Sequence, residues 1–385
     1  MVAPKVTHEQ LRNELENGST AIEIAKKYDV TERVVYARIA RLKATGYDPD
    51  NERRHKNPQE QLVKGYSTLV RLKDRDDPSL GTVLEWVKTN VSLDKQLESA
   101  KFIVETLAGE IPKPDVIMPR AVHYDTNKFT VIPIGDPHIG LYVWSDETGV
   151  EWDTDIAKRV FSNVFSRLLS RAPDTEEVIL VNTGDFFHAD NMRGETSRSG
   201  HRVDTHGRYG KWLEAGIVIA RMFVESCLRK YKKVTFVNVP GNHDDILGLA
   251  IGLFIQSMYE QPDRLEVLPG KSQFQYVHRN NVLLGFAHGH TCKLSALPGK
   301  MANDQHILWG QAEERHWFTG HVHHNQWLQY KEHPGCVVES VGIIPPRDAY
   351  AYGKGYGSKR SIQAIVFDAD HGEYERYYDK VRKTD

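Results

Sequence analysis

Apolar positions in the first fifty residues recur at helical spacing. Thr7 can cap a first helix that turns Leu11 and Leu15 inward and stops at Gly18. Ser19 or Thr20 caps a second, with Ile22, Ile24, Ala25 and Tyr28 apolar. After a tight turn at Tyr28-Asp29-Val30, Thr31 caps a third carrying Val34, Val35, Ile39 and Leu42, ended by Gly46 and Pro49. From Pro49 to Gln61 the chain is polar, with two prolines, and reads as a linker. A strand-like pair (67–72 and 82–87) and a helix over 93–108 follow, before Pro112 and Pro114 break the pattern.

From Lys128 onward, short buried-type strands alternate with helical stretches. Strands are expected at 129–134, 178–182, 234–239, 282–287, 317–319, 337–341 and 361–367. Helices are expected at 155–171, 212–230, 245–258 and 309–315. This alternation predicts a layered α/β sheet, whose ligand sites lie at strand ends. The expected domains are therefore 1–48 (all-α), 49–127 (linker and bridging segment) and 128–385 (α/β).

A short turn before a capped helix is the helix-turn-helix pattern. Its third helix presents Arg33, Tyr36, Arg38 and Arg41 outward, residue types that meet phosphates and base edges. The same pattern also suits a three-helix module that docks another protein. Over these forty residues it resembles the helix-turn-helix domains of resolvase- and sigma-like DNA readers.

Composition narrows the classes. The 385 residues carry 50 Lys+Arg against 52 Asp+Glu, so the chain has no overall basic coat and nucleic acid must be met by a local patch. Three cysteines, Cys227, Cys292 and Cys336, lie far apart without a CxxC pair, which argues against a thiolate zinc site or a disulfide framework. The first residues lack the apolar core of a secretory signal, and no run is long enough to span a membrane. The expectation is a soluble protein of a reducing compartment, the cytoplasm of a bacterium or a phage-infected host. Eighteen histidines are more than packing requires, so their placement matters.

They fall at strand ends. Gly135-Asp136-Pro137-His138 follows the first strand, Gly184-Asp185-Phe186-Phe187-His188 the second and Gly241-Asn242-His243-Asp244 the third. His288-Gly289-His290 and Gly320-His321-Val322-His323-His324 follow the next two. A lone Asp-x-His is more often a surface turn than a ligand pair. Five sets in register with a sheet reverse that reading and predict a metal centre. Glycine precedes four of them, allowing sharp turns. Oxygen and imidazole donors without thiolate suit Mn²⁺, Fe²⁺, Mg²⁺ or Zn²⁺, and the number of donors suits two ions with one carboxylate between them.

The order DxH, GD, GNHD, HGH, GHxH, spread over about residues 128–370, closely resembles the calcineurin-like metallophosphoesterases. The resemblance implies a four-layer αββα sandwich with two divalent ions at its strand ends, Mn²⁺ foremost. One ion would take Asp136, His138 and His323, and the other Asn242, His288 and His321, with Asp185 shared. It further implies a metal-bridging hydroxide as nucleophile and His243 as proton donor to the leaving oxygen, with Asp244 orienting its ring. His290 and His324 have no fixed family role. His188 matches the GD-x-x-[HD] form of SbcD-like nucleases, where that residue assists phosphodiester cleavage, although related forms occur in phosphatases. The polar, basic segment 189–202 is too long for a plain connection, and Arg193, Arg198 and Arg202 are its candidate substrate-phosphate contacts. A glycine run, Gly353-Lys354-Gly355-Tyr356-Gly357, lacks the order of a nucleotide phosphate loop and leaves a basic flap or a plain turn open.

Two functions stay open on the sequence. The first is a nuclease of the phage type placed on DNA by its N-terminal module. The second is a phosphatase or cyclic-nucleotide phosphodiesterase whose N-terminal module docks protein. A homo-oligomer is compatible with either.

Overall fold

The computed structural model describes residues 6–17, 19–44, 65–73, 82–90, 93–259, 263–322, 331–357 and 359–385. The chain divides into two units, Met1–Ser92 and Leu93–Asp385. Residues 93–127, which the sequence pattern joins to the linker, thus belong to the larger unit. No described helix is long and apolar enough to cross a membrane.

In the smaller unit, helices α1 (His8–Glu16), α2 (Ala21–Lys27) and α3 (Glu32–Ala44) share a core of Leu11, Leu15, Ile24, Ala25, Val35 and Leu42. Two capping boxes start the first two helices. The Gln10 amide donates to Thr7 Oγ1 (3.2 Å) while the Thr7 amide donates to the Gln10 side chain (2.9 Å). Thr20, not Ser19, does the same with Glu23. Asp29 at φ +50° makes the turn into α3. Ile22 and Val34, apolar positions of the second and third helices, are exposed. At 100° per residue each lies off the single stripe that helices this short can bury. Strands β1 (Gly65–Lys73) and β2 (Thr82–Asn90) pair antiparallel, each longer than its apolar run suggests.

The larger unit is mixed α/β with two sheets. The six-stranded sheet contains β3 (Asp125–Ile134), β4 (Thr175–Asn182), β5 (Lys233–Asn238) and β6 (Leu265–Leu268) in parallel, followed beyond β3 by antiparallel β12 (Ser361–Asp368) and β13 (Gly372–Lys380). In the five-stranded sheet β8 (Val282–Ala287), β9 (Glu314–Thr319) and β11 (Cys336–Ser340) run parallel. Antiparallel edges β7 (Phe274–Arg279) and β10 (Lys331–His333) close it. Val131, Ile179 and Val237 of one sheet meet Leu284, Phe286 and Phe318 of the other in one buried cluster. Helices α4 (Leu93–Glu110), α5 (Thr154–Arg171), α6 (Tyr209–Lys230) and α7 (Asp245–Met258) share a second cluster with the six-stranded sheet. Leu297 and Met301 of a short helix share a third with Leu283 and Trp317 of the five-stranded sheet.

The helix expected over 309–315 is not formed as such. A helix runs His306–Gln311, and Glu314 and Arg315 instead begin β9, where they pair with Val282 and Leu283. Long-range pairing overrides local helical preference there. The edge strands β6, β7, β10 and β13 carry too few alternating apolar positions to be seen in sequence, because much of each is half-buried or exposed.

Polar links also cross between the sheets. Glu339 on β11 accepts from Gln363 of β12 (3.0 Å) and Arg376 of β13 (2.5 Å), and His316 Nε2 lies 3.2 Å away. Arg279 of β7 donates to Glu177 of β4 (2.8 and 2.5 Å). Burial opposes the charge on Glu339, but His316 and Arg376 prevail and hold its carboxyl at about 2 against an ordinary 4.5. The folded value is depressed, so this stabilisation is complete above pH 4.5 and is lost as pH falls towards about 2. Glu339→Gln should cost about 3 kcal/mol at neutral pH, the range for breaking a buried pair. It should also flatten the decline of stability across that acid window. Urea unfolding of both proteins as a function of pH checks this, and parallel curves would refute it.

Candidate metal centre

Strands β3, β4 and β5 of one sheet and β8 and β9 of the other each end in a turn that bears a candidate ligand. Asp136 and His138 follow β3, Asp185 follows β4, Asn242 follows β5, His288 follows β8 and His321 follows β9. The ligand atoms of Asp136, His138 and Asp185 lie within 4.8 Å of one another, as do those of Asp185, His288 and His321. Asp185 belongs to both triads. The Asn242 side-chain oxygen joins the second, 3.0 Å from His288 Nε2. His323 and His324 lie outside the described residues.

The backbone is strained where these side chains start. Six described non-glycine residues have positive φ, and four of them are Asp136 (+32°), His138 (+43°), Asp185 (+49°) and His321 (+70°). Such conformations cost about 1–3 kcal/mol each and persist only where neighbours over-determine them. The glycines before the ligands have a different task from the one inferred from sequence. Only Gly184 has positive φ (+104°); the others make room. A Cβ on Gly241 would lie 2.0 Å from Asp185 Oδ1, and one on Gly320 would lie 2.1 Å from Asp136 Oδ1. On Gly135 it would meet the Gly342 carbonyl at 2.3 Å.

Hydrogen bonds lock the turns to each other. The His138 amide donates to the Asp185 carbonyl (3.0 Å) and the His188 amide to the Ile139 carbonyl (3.0 Å). The His243 amide donates to Asp185 Oδ1 (2.8 Å) and the His321 amide to Asp136 Oδ2 (2.7 Å). The other oxygen of each carboxylate lies near His288, Asp136 Oδ1 3.7 Å from its Nδ1 and Asp185 Oδ2 3.1 Å from its Nε2.

His288 tests whether a cation fits. Its Nδ1 donates to the Thr183 carbonyl (2.9 Å), which fixes the tautomer and leaves the Nε2 lone pair facing Asn242 Oδ1 (3.0 Å) and Asp185 Oδ2 (3.1 Å). Three electron-rich atoms so close require a cation among them, either a proton or a metal ion. Burial lowers the basicity of His288, but Asp185 and Asp136 outweigh it and raise the ring to about 9. Burial likewise opposes ionisation of Asp185, yet His288, His243 and His138 hold its carboxyl well below the usual range. Asp136, His138, Asp185 and His288 are all buried, whereas His321 is exposed, so the centre opens on the His321 side.

His243 and His188 flank the first triad. Their rings stack 5.4 Å apart, and His188 Nδ1 lies 3.2 Å from His138 Nδ1. The His243 ring is oriented by the His188 carbonyl, to which its Nδ1 donates (2.8 Å). Asp244, expected to orient that ring, instead accepts from the Phe187 amide (2.8 Å) and so steadies the Asp185 turn. Burial and the charge of Asp185 push its carboxyl well above the usual range.

The 189–202 segment is fastened to the centre. The amides of Ser197 and Arg198 donate to the carbonyls of His243 (3.1 Å) and Asn242 (3.3 Å), and Ser197 Oγ donates to the Asn242 carbonyl (2.9 Å). Asp190 accepts from Ile246 and Leu247 at the start of α7. This brings the Arg198 charge to bear on His290, whose basicity burial, His288 and Arg198 together lower to about 3. Arg193 and Arg202 are exposed on the same loop. Sequence reasoning missed Thr183, Ser197 and Asp190; only the polar character of their segments hinted at them. In the smaller unit Arg33 and Tyr36 are exposed. Arg38 instead donates to the Val6 carbonyl, and the Arg41 side chain lies outside the described residues.

No family model and no curated protein sequence matches this chain. Among solved structures, a 5′-nucleotidase from Candida albicans overlaps 70% of this chain with a TM-score of 0.33 and 8% identity. The overlap spans 54% of that nucleotidase, about half its length. A hypothetical protein from Thermus thermophilus overlaps 66% of this chain and all of its own, with a TM-score of 0.30 and 11% identity.

Gly241→Ala should displace the whole Asp185 turn, because the added Cβ would lie 2.2 Å from the Asp185 amide nitrogen as well as against the carboxylate. We expect affinity for Mn²⁺ to fall by about 10- to 100-fold, as for lost support of metal ligands. Calorimetric titration of the folded variant measures this, and unchanged affinity would show that the close approach is immaterial.

Proposed function

We propose that the larger unit is a metal-dependent phosphodiesterase, most specifically a DNA nuclease of the calcineurin-like metallophosphoesterase type. The observation that carries this reading is the pair of ligand triads that share Asp185 at the joined strand ends of two sheets. The three apolar clusters, between the sheets and on their outer faces, support a four-layer αββα sandwich. Asp136, His138 and Asp185 would hold one divalent ion and Asp185, Asn242, His288 and His321 the other, with His323 completing the first set. These oxygen and imidazole donors suit Mn²⁺, Fe²⁺, Mg²⁺ or Zn²⁺, and the resemblance to that family puts Mn²⁺ first. Bound there, the ions supply Lewis acidity towards a phosphoryl oxygen and activation of water.

The remaining work falls to the chain's own side chains. His243 has its Nδ1 tied to the His188 carbonyl and its Nε2 3.9 Å from Asp185, with a fifth of the side chain exposed. That Nε2 can carry a proton to the leaving oxygen of a substrate approaching from solvent. His188, stacked behind, keeps the ring in place. Arg198, whose backbone amide is fastened to the Asn242 carbonyl, would meet the anion. Residues 7–43 would bring the enzyme to DNA through Arg33 and Tyr36.

His243→Ala should keep its metal ions and lose roughly 10²- to 10⁴-fold in rate on DNA, the range for a general acid. On bis-p-nitrophenyl phosphate, whose leaving group needs little protonation, the loss should be much smaller. Equal losses on both substrates would remove the proton-donor role. A wild-type chain that hydrolyses p-nitrophenyl phosphate but neither DNA nor the diester would establish a phosphatase instead. Deleting residues 1–60 should leave turnover of the small diester within a few-fold. It should also weaken DNA binding and lower the salt slope by roughly 0.9 per lost phosphate contact. An unchanged slope would make the module a docking element.

A further inference from the structure

Exposed aromatic side chains gather on two segments of the larger unit. Tyr142 and Trp144 follow the His138 turn, and Tyr350, Tyr352 and Tyr356 lie in the glycine-containing segment between β11 and β12. The segments meet where the one-turn helix Ser145–Thr148 packs on the short helix Ala349–Gly353. A groove of about 230 Å³ between them is lined by Tyr142, Trp144, Glu147, Asp204 and Ala349.

Each wall of this groove is rooted in a turn of the metal centre. Tyr142 is four residues beyond His138, and its amide donates to the Asp204 carbonyl (3.1 Å) at the end of the loop that also reaches Asn242. Ile343, at the base of the other wall, bridges to Gly135 beside Asp136. Both walls are therefore continuous in the chain, or by a backbone bridge, with the turn that carries Asp136 and His138.

The chemistry of the walls selects the occupant. Single exposed aromatics are ordinary on a protein surface, whereas here five lie on two abutting segments, Tyr142 and Trp144 in the groove and Tyr350, Tyr352 and Tyr356 on the segment beside it. Cations are interleaved with them: the Arg347 guanidinium sits 4.5 Å over the Tyr352 ring and Lys354 Nζ lies 5.9 Å from Tyr350. Rings alternating with cations match bases alternating with phosphates along a single strand. The bases of a duplex are already stacked and present no free face. Glu147 and Asp204 repel phosphate from the groove itself but can accept from the amino groups of bases.

We propose that this shelf stacks the unpaired bases of a single-stranded nucleic acid whose neighbouring phosphodiester enters the metal centre. The proposal rests on the phosphodiesterase reading and names its substrate as single-stranded. The test uses the metal-loaded full chain and phosphorothioate oligothymidylate, which slows hydrolysis, beside an abasic oligomer of equal length and charge. The oligothymidylate should bind more tightly than the abasic oligomer. Trp144→Ala and Tyr350→Ala should each erase part of that difference, roughly 5- to 100-fold per stacked base. Trp144→Phe and Tyr350→Phe, which keep a ring, should retain it. Equal binding of the two oligomers, or alanine variants that weaken both equally, would overturn the shelf. That failure is separate from failure of the enzymatic reading, which would appear as absent hydrolysis of a small diester by the unaltered chain.

Discussion

The structure of the centre depends on the position of one buried carboxylate. Asp185 receives the His243 amide on one oxygen and faces His288 with the other, while its own carbonyl accepts from the His138 amide. Three turns from three strands are thus defined by a single residue. Such a carboxylate, almost fully buried beside a second one at Asp136, is costly without compensating positive charge. His288, whose ring is raised to about 9, supplies part of that charge as a proton, and divalent ions would supply it more fully.

The surrounding sequence is adapted to that constraint. Gly241 and Gly320 have no side chain because Asp185 and Asp136 occupy the space where a Cβ would lie. The left-handed backbone at Asp136, His138, Asp185 and His321 spends folding energy on ligand direction. The two sheets can support the strain because apolar packing and the links through Glu339 and Arg279 hold them face to face. Loop 189–202 adds a second fastening, tying Arg198 to the same turn that carries Asn242 and His243. Rigidity in the scaffold and fixed direction at the strand ends are one arrangement seen at two scales.

Much of this was legible in sequence for identifiable reasons. Thr7 with Gln10 and Thr20 with Glu23 are local signals, and both capping boxes form. The five strand-end sets were readable because buried strands are continuous apolar runs and polar residues stand where they stop. What escaped the sequence depends on distant partners. Glu314 and Arg315 become strand only because β8 lies alongside them. The partner of Asp244 is a backbone amide 57 residues away, and Arg38 is drawn to the Val6 carbonyl instead of outward. The steric role of Gly241 and Gly320 likewise exists only once two turns meet.

The shared position of Asp185 is the central claim, and metal binding addresses it most directly. Equilibrium titration of the metal-free chain with Mn²⁺, checked by elemental analysis, should give two ions per chain. Asp185→Asn should weaken both sites together, since the Asp136–His138–Asp185 and Asp185–His288–His321 triads share that carboxylate. A chain that binds at most one ion, or an Asp185→Asn variant that keeps either site at full affinity, would contradict the account.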